Sequence, residues 1–121
     1  MDKNLHRTTV LVVDDFPPML TIVTKMLAEI GVHDVDCAGD VESALAHVRV
    51  RDYDVLILDY FLGDQTGDDL MFTLRHEGED IPAIIMTGEA ARAATHLRQE
   101  VDWLRKPFTA TELKARIAAA L

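Results

Sequence analysis

Cysteine is nearly absent from this chain: its 121 residues include a single one, Cys37. No disulfide can form within one chain, so a reducing cytoplasm is the expected compartment. Cys37 lies in a strand-like run between Val35 and Ala38 and is expected to be a core thiol. Basic charge is also scarce, with 12 Lys and Arg against 21 Asp and Glu and a formal net charge of −9. Without a basic stripe the chain is not expected to bind nucleic acid directly or to sit on an anionic membrane. No run approaches the ~18 consecutive apolar residues of a membrane span, and the polar start from Met1 to Arg7 is not expected to be a signal peptide. Linkers, repeats and low-complexity tracts are missing too. What is present is a hydrophobic fraction of 49%, enough at this length to bury a core without staples, and one domain over residues 1–121 is expected.

Strand-like and helix-like segments alternate five times with short connections, the pattern of a doubly wound five-stranded parallel α/β sheet. Val10 to Val13 and Val55 to Leu58 are short, apolar and not alternating, as a parallel strand buried on both faces requires. Pro17 and Pro18 suit the start of a helix running to Ile30, with Gly31 as its stop. A second strand is expected around Val35 to Ala38, and Asp40 is a good N-cap for a helix through Val41, Leu45 and Val48. Gly63 to Gly67 reads as a polar loop before a helix carrying Leu70, Met71 and Leu74. A fourth strand, Ala83 to Met86, ends at Thr87 and Gly88, and an alanine-rich helix is expected from about Ala90 to Glu100. The short strand Trp103 to Arg105 follows, and Thr109 and Glu112 have capping-box spacing for a last helix to Leu121.

Asp14 and Asp15 end the first apolar run, Asp59 ends the third, and Lys106 with Pro107 closes the last. In open parallel sheets the functional crevice lies beyond the carboxyl ends of the strands, so these acids should converge there. An acid after a strand is, alone, an ordinary turn former, and Thr87 or Lys106 alone would be a routine strand-end or surface residue. The set in order is a different matter. With Phe108 after Lys106 and Pro107, it resembles the receiver domain of bacterial two-component response regulators over nearly the whole chain. Asp14, Asp15 and Phe16 through Met19, Ile22, Val23 and Glu29 are similar in particular to stand-alone chemotaxis-type receivers.

The resemblance implies a (βα)5 flavodoxin-like fold and a phosphorylation-dependent signalling switch. Crowded carboxylates need a cation, and Mg²⁺ is the hard oxygen-seeking candidate. Asp14 or Asp15 would hold it directly or through water, with Asp59 and, by the resemblance, the backbone carbonyl of Phe61. Asp59 would be the phosphoacceptor, Lys106 the cation on the phosphoryl oxygens, and Thr87 a hydroxyl donor whose bond draws the following loop inward. In the family the Lys106–Pro107 bond is cis. Trp103 stands where the family usually has a tyrosine or phenylalanine that swings inward on phosphorylation, and a switch role is expected over plain packing. The other acids, such as Asp64, Asp68 and Asp69, are expected to be solvated. The five histidines lack ligand spacing, so no transition metal is assigned.

The first helix carries two apolar stripes, Val23, Leu27 and Ile30 on one side and Met19, Ile22 and Met26 on another. By resemblance the second stripe, with Pro107 and Phe108, would dock the phosphohistidine donor, a sensor histidine kinase or histidine phosphotransfer protein; a wide core contact explains it equally. A downstream protein target is implied, on a surface around the helix near residues 90–100, the last strand and the last helix, with the chain a monomer or weak homodimer.

Three features depart from the family's pattern. Phe61 is bulky where a polar group is common, and is expected to shield an aspartyl phosphate from water. Gly63 replaces a frequent proline. The segment between Thr87 and Lys106 is shorter than expected by about one helical turn of ~3.6 residues, so no particular target mode carries over. Either a stand-alone regulator or a piece of a larger one is expected.

Competing functions fit less well. A flavodoxin-like electron carrier needs a phosphate-cradling loop where this chain has acids. An aspartate-nucleophile phosphatase usually has a second aspartate two positions on, where Phe61 stands. A non-phosphorylated pseudo-receiver acting as a protein-interaction scaffold leaves the acid set unexplained.

Overall fold

The computed structural model describes residues 5–88 and 101–121. Five parallel strands form one sheet: β1 (Thr9–Val13), β2 (Asp34–Ala38), β3 (Val55–Asp59), β4 (Ala83–Thr87) and β5 (Asp102–Arg105). Their spatial order is β2-β1-β3-β4-β5. The chain therefore starts inside the sheet, moves out to β2, then reverses across β1 to β3, which leaves a crevice beyond the carboxyl ends of β1 and β3.

The apolar runs are continuous because both faces of each inner strand are covered. Leu11, Val13, Leu56, Leu58 and Ile85 face one core, which contains buried residues of α2 (Val41–Val50) and α3 (Gly67–His76). Val10, Val12, Val55, Ile57, Ile84 and Met86 face the other, beneath α1 (Pro17–Glu29) and the C-terminal helix Ala110–Ala120. Side-chain alternation along each strand makes that division.

The helix ends follow from local chemistry. At the end of α1, Val32 N–H donates to the Leu27 carbonyl at 2.8 Å and Gly31 N–H to Ala28 at 3.1 Å, with Gly31 at φ +95°. This is a Schellman stop, which needs a left-handed residue at Gly31. Asp40 caps α2 by accepting from Ser43 N at 2.7 Å. Thr109 and Glu112 close a reciprocal capping box on the C-terminal helix, as their spacing predicts.

Three expectations need correction. Cys37 is exposed, not a core thiol, because β2 is an edge strand and its burial is incomplete along most of its length. The segment expected as a polar loop contains a small antiparallel hairpin, Phe61–Leu62 with Gln65–Thr66. Asp68 is buried rather than solvated, at 5% exposure, and Asp69 completes a capping box with Thr66 at the start of α3. The expected helix at Ala90 to Glu100, and the shortened segment around it, lie outside the described residues.

Candidate functional site

Each acid reaches the crevice by ending a strand. Asp59 is the last residue of β3, and Asp14 and Asp15 follow directly on β1. Asp14, Asp15 and Asp59 each offer a carboxylate oxygen, and these oxygens lie within 4.8 Å of one another. From β5, Lys106 extends its Nζ to Asp59 Oδ1 at 2.8 Å. Lys106 N–H donates to the Thr87 carbonyl at 2.7 Å, so the residues closing β4 and β5 are joined through the main chain. The Lys106–Pro107 peptide is cis.

Asp14 is almost fully buried, at 1% exposure. Its Oδ1 accepts from Phe16 N–H at 2.9 Å, while its Oδ2 has no hydrogen-bond partner. Burial pushes its pKa up to about 6, and the Asp59 charge adds to this against the opposing pull of the Phe16 amide and Lys106. Thr87 is equally buried, and its hydroxyl oxygen also lacks a partner among the described residues. Buried polar atoms normally find partners. Two orphans beside a three-carboxylate cluster fit a site built to take a hard divalent cation and an oxygen-rich group.

The hairpin after β3 offers a candidate further oxygen. Tyr60 accepts from Gly67 N–H at 2.6 Å, and Thr66 N–H is spent on Asp69 Oδ2 at 2.9 Å. In an antiparallel ladder hydrogen-bonded and non-bonded pairs alternate, so Phe61 and Thr66 form a non-bonded pair. The Phe61 carbonyl is therefore left out of the ladder and can serve as a ligand. The Phe61 ring is 46% exposed and meets Tyr60 edge-on, with centroids 5.0 Å apart.

Trp103 is half-buried against the α2/α3 core, with its ring centroid 6.2 Å from that of Tyr60, the neighbour of Asp59. Met19, Ile22 and Met26 share one groove of about 420 Å³ with Lys106, Pro107 and Phe108. Ile22 is exposed, whereas Phe108 belongs mainly to the core at 7% exposure. Val23 and Leu27 are buried on the face of α1 turned to the core, while Met19, Ile22 and Met26 border the groove.

Gly67 was legible only as a loop residue. A Cβ there would sit 2.8 Å from the Asp59 carbonyl oxygen, so any side chain at 67 would push on the backbone that carries Asp59. Sequence has no signal separating such a steric glycine from a turn glycine. The Thr66 and Asp69 box did carry a signal, its Thr-x-x-Asp spacing.

The family model for the response regulator receiver domain matches residues 10–118. The chain belongs to that family. This receiver is 30% identical over 122 residues to chemotaxis protein CheY-3 of Vibrio cholerae, covering 97% of this chain and 92% of that protein. It is 36% identical over 116 residues to the probable transcriptional regulatory protein TcrX of Mycobacterium tuberculosis, covering 93% of this chain but 49% of TcrX. The receiver thus spans about half the length of TcrX and nearly all of CheY-3. A solved sensor protein from Polaromonas sp. JS666 shares its fold at a TM-score of 0.84 and 26% identity, over 94% of this chain and 95% of that one. The flavodoxin-like receiver fold implied by the resemblance is the one observed. Among the described residues no helix is long and apolar enough to cross a membrane.

Proposed function

We propose that this receiver is a phosphorylation-dependent switch in which Asp59 accepts a phosphoryl group from a phosphohistidine on a sensor kinase or phosphotransfer protein. The observation that carries this reading is the Lys106 ammonium held 2.8 Å from Asp59 beside two further carboxylates. A carboxylate oxygen of Asp59 attacks phosphorus while the P–N bond to the donor's imidazole breaks. The electron pair stays on the ring nitrogen, which takes up a proton. Asp14, Asp15, Asp59 and the Phe61 carbonyl would hold Mg²⁺. When bound, the ion supplies the positive charge that lets a phosphoryl group enter a pocket of acids.

Lys106 contributes the second positive charge, as a point charge able to follow negative charge from the carboxylate to the phosphoryl oxygens. Thr87 brings a buried hydroxyl with no competing partner, ready to donate to one of those oxygens. Because Thr87 and Lys106 are joined through the main chain, movement at one is passed to β5. Trp103 on that strand, beside Tyr60, is the side chain proposed to register the change. The groove of Met19, Ile22 and Met26 with Pro107 and Phe108 lies next to Lys106 and is the proposed docking face for the donor. Residues of the expected helix at 90–100, with β5 and the C-terminal helix, would meet the downstream protein.

Acetyl phosphate with Mg²⁺ tests the reading. Intact-mass spectrometry should show a single phosphoryl addition to the wild type and none to Asp59→Asn. A wild type that stays unmodified under conditions that label another active receiver would point instead to a non-phosphorylated scaffold.

A further inference from the structure

Resting on the reading of the site as a magnesium-assisted phosphoacceptor, we infer that Gly63 is a positioning residue for the metal site, its backbone N–H fixing Asp15 and tying the hairpin to the end of β1. Gly63 N–H donates to Asp15 Oδ2 at 3.0 Å across 48 positions of sequence. The bond joins the two loops that carry the proposed ligands, Asp15 after β1 and the Phe61 carbonyl after β3.

The hairpin's geometry makes that donor available. Leu62 pairs with Gln65, so Gly63 and Asp64 form a two-residue connection. Gly63 has φ +69°, and among the described residues no non-glycine residue has a positive φ. A positive φ at the first connecting residue alone is the type II′ pattern, which glycine supplies without steric cost. In that turn the ladder bond runs between the flanking residues, so the N–H of the first connecting residue is not used within the hairpin. It is aimed outward, and here it meets Asp15.

Asp15 needs such a partner. Unlike Asp14 it is exposed, so burial does not confine its side chain, and free rotation would cost entropy each time an ion is gripped. The amide bond leaves Oδ1, which accepts no hydrogen bond among the described residues, for a cation. Partners that orient metal-binding carboxylates typically account for 10–100-fold in affinity. A proline at position 63 would remove the donor and impose a negative φ.

Replacing the amide N–H of Gly63 by an ester oxygen, by semisynthesis of the full chain, tests this with the least change in shape. Calorimetric titration with Mg²⁺ should show affinity about tenfold weaker than wild type, with the metal-free melting temperature essentially unchanged. D-Alanine at position 63, introduced by the same semisynthesis, keeps the N–H and suits the positive φ of this turn, so it should bind Mg²⁺ as wild type does. Equal affinity in the ester and wild-type proteins would overturn the inference and leave the magnesium reading standing. A loss with D-alanine at position 63 as large as in the ester would also overturn it, tracing the effect to loop shape. A wild type that binds no Mg²⁺ would overturn the magnesium reading itself, and the inference with it.

Discussion

The two ends of the sheet spend aspartates in opposite ways. At the amino end Arg51 joins Asp34 at 2.6 Å and Asp36 at 2.8 Å, the Tyr53 hydroxyl donates to Asp36 at 2.6 Å, and Thr9 N–H donates to Asp54 at 2.8 Å. The Tyr53 hydrogen bond, followed by Arg51, holds the Asp36 carboxyl below its usual range. At the carboxyl end, among the described residues, three acids gather where one ammonium group reaches Asp59, one carboxylate oxygen and one hydroxyl go without partners, and the Asp14 pKa climbs to about 6. The same side chain fastens an edge strand at one end and stores unmet charge at the other. Under the proposed function, stability is spent where an incoming cation and phosphoryl group would restore it.

The sharpest way to break the comparison is to remove the Lys106 ammonium that reaches Asp59. Lys106→Ala should slow acetyl-phosphate labelling of Asp59 about 100-fold, the usual scale for losing one preorganised charge-stabilising donor. Arg51→Ala at the opposite end should leave the labelling rate unchanged. Equal losses in the two variants would mean that the ends are not functionally distinct.

Next in size is Asp14. Its folded pKa of about 6 lies above the ordinary aspartate value of 3.8, so the folded state binds the proton more tightly, and stability falls as pH rises from about 4 to about 6. Above that window the charge costs on the order of 3 kcal/mol. Asp14→Asn should therefore raise the metal-free melting temperature at pH 7 by about 5–10 °C while weakening Mg²⁺ binding. The gain should shrink as pH falls from 7 to 5. A gain independent of pH would show that charge is not its source.

The smallest effect belongs to the amino end. Tyr53→Phe removes one hydrogen bond to a charged group and should cost about 1–2 kcal/mol in urea unfolding at pH 7. Because Asp36 has a lowered pKa, the stability it contributes is complete above its unfolded value of 3.8 and fades below it as the carboxyl protonates. Acid should thus erode the Tyr53 contribution only below about pH 4, the reverse of its action on Asp14.

The features legible in the sequence share one property: they repeat or they terminate something. Val10 to Val13 and Val55 to Leu58 announce buried strands because both faces need apolar residues, and Asp14, Asp59 and Lys106 mark where those strands stop. Asp40 and the pair Thr109 and Glu112 announce helix starts because caps are local. What escaped reading depends on neighbours distant in sequence. The two-residue strands at Phe61 and Gln65 are too short for any period, and the crowding of Gly67 against Asp59 exists only once α3 has docked. Cys37 was misjudged because its strand looks like the inner ones, and only the strand order puts it on an edge.

That edge position has a practical yield. Cys37 is the sole thiol and is exposed on β2, while Trp103, the sole indole, sits on β5 at the far margin. With strands spaced about 4.8 Å apart, the two are separated by on the order of 20 Å, within range of energy transfer from tryptophan to a maleimide dye. The native chain therefore carries a donor and an attachment point for an optical ruler across its whole width, with no engineered residue required.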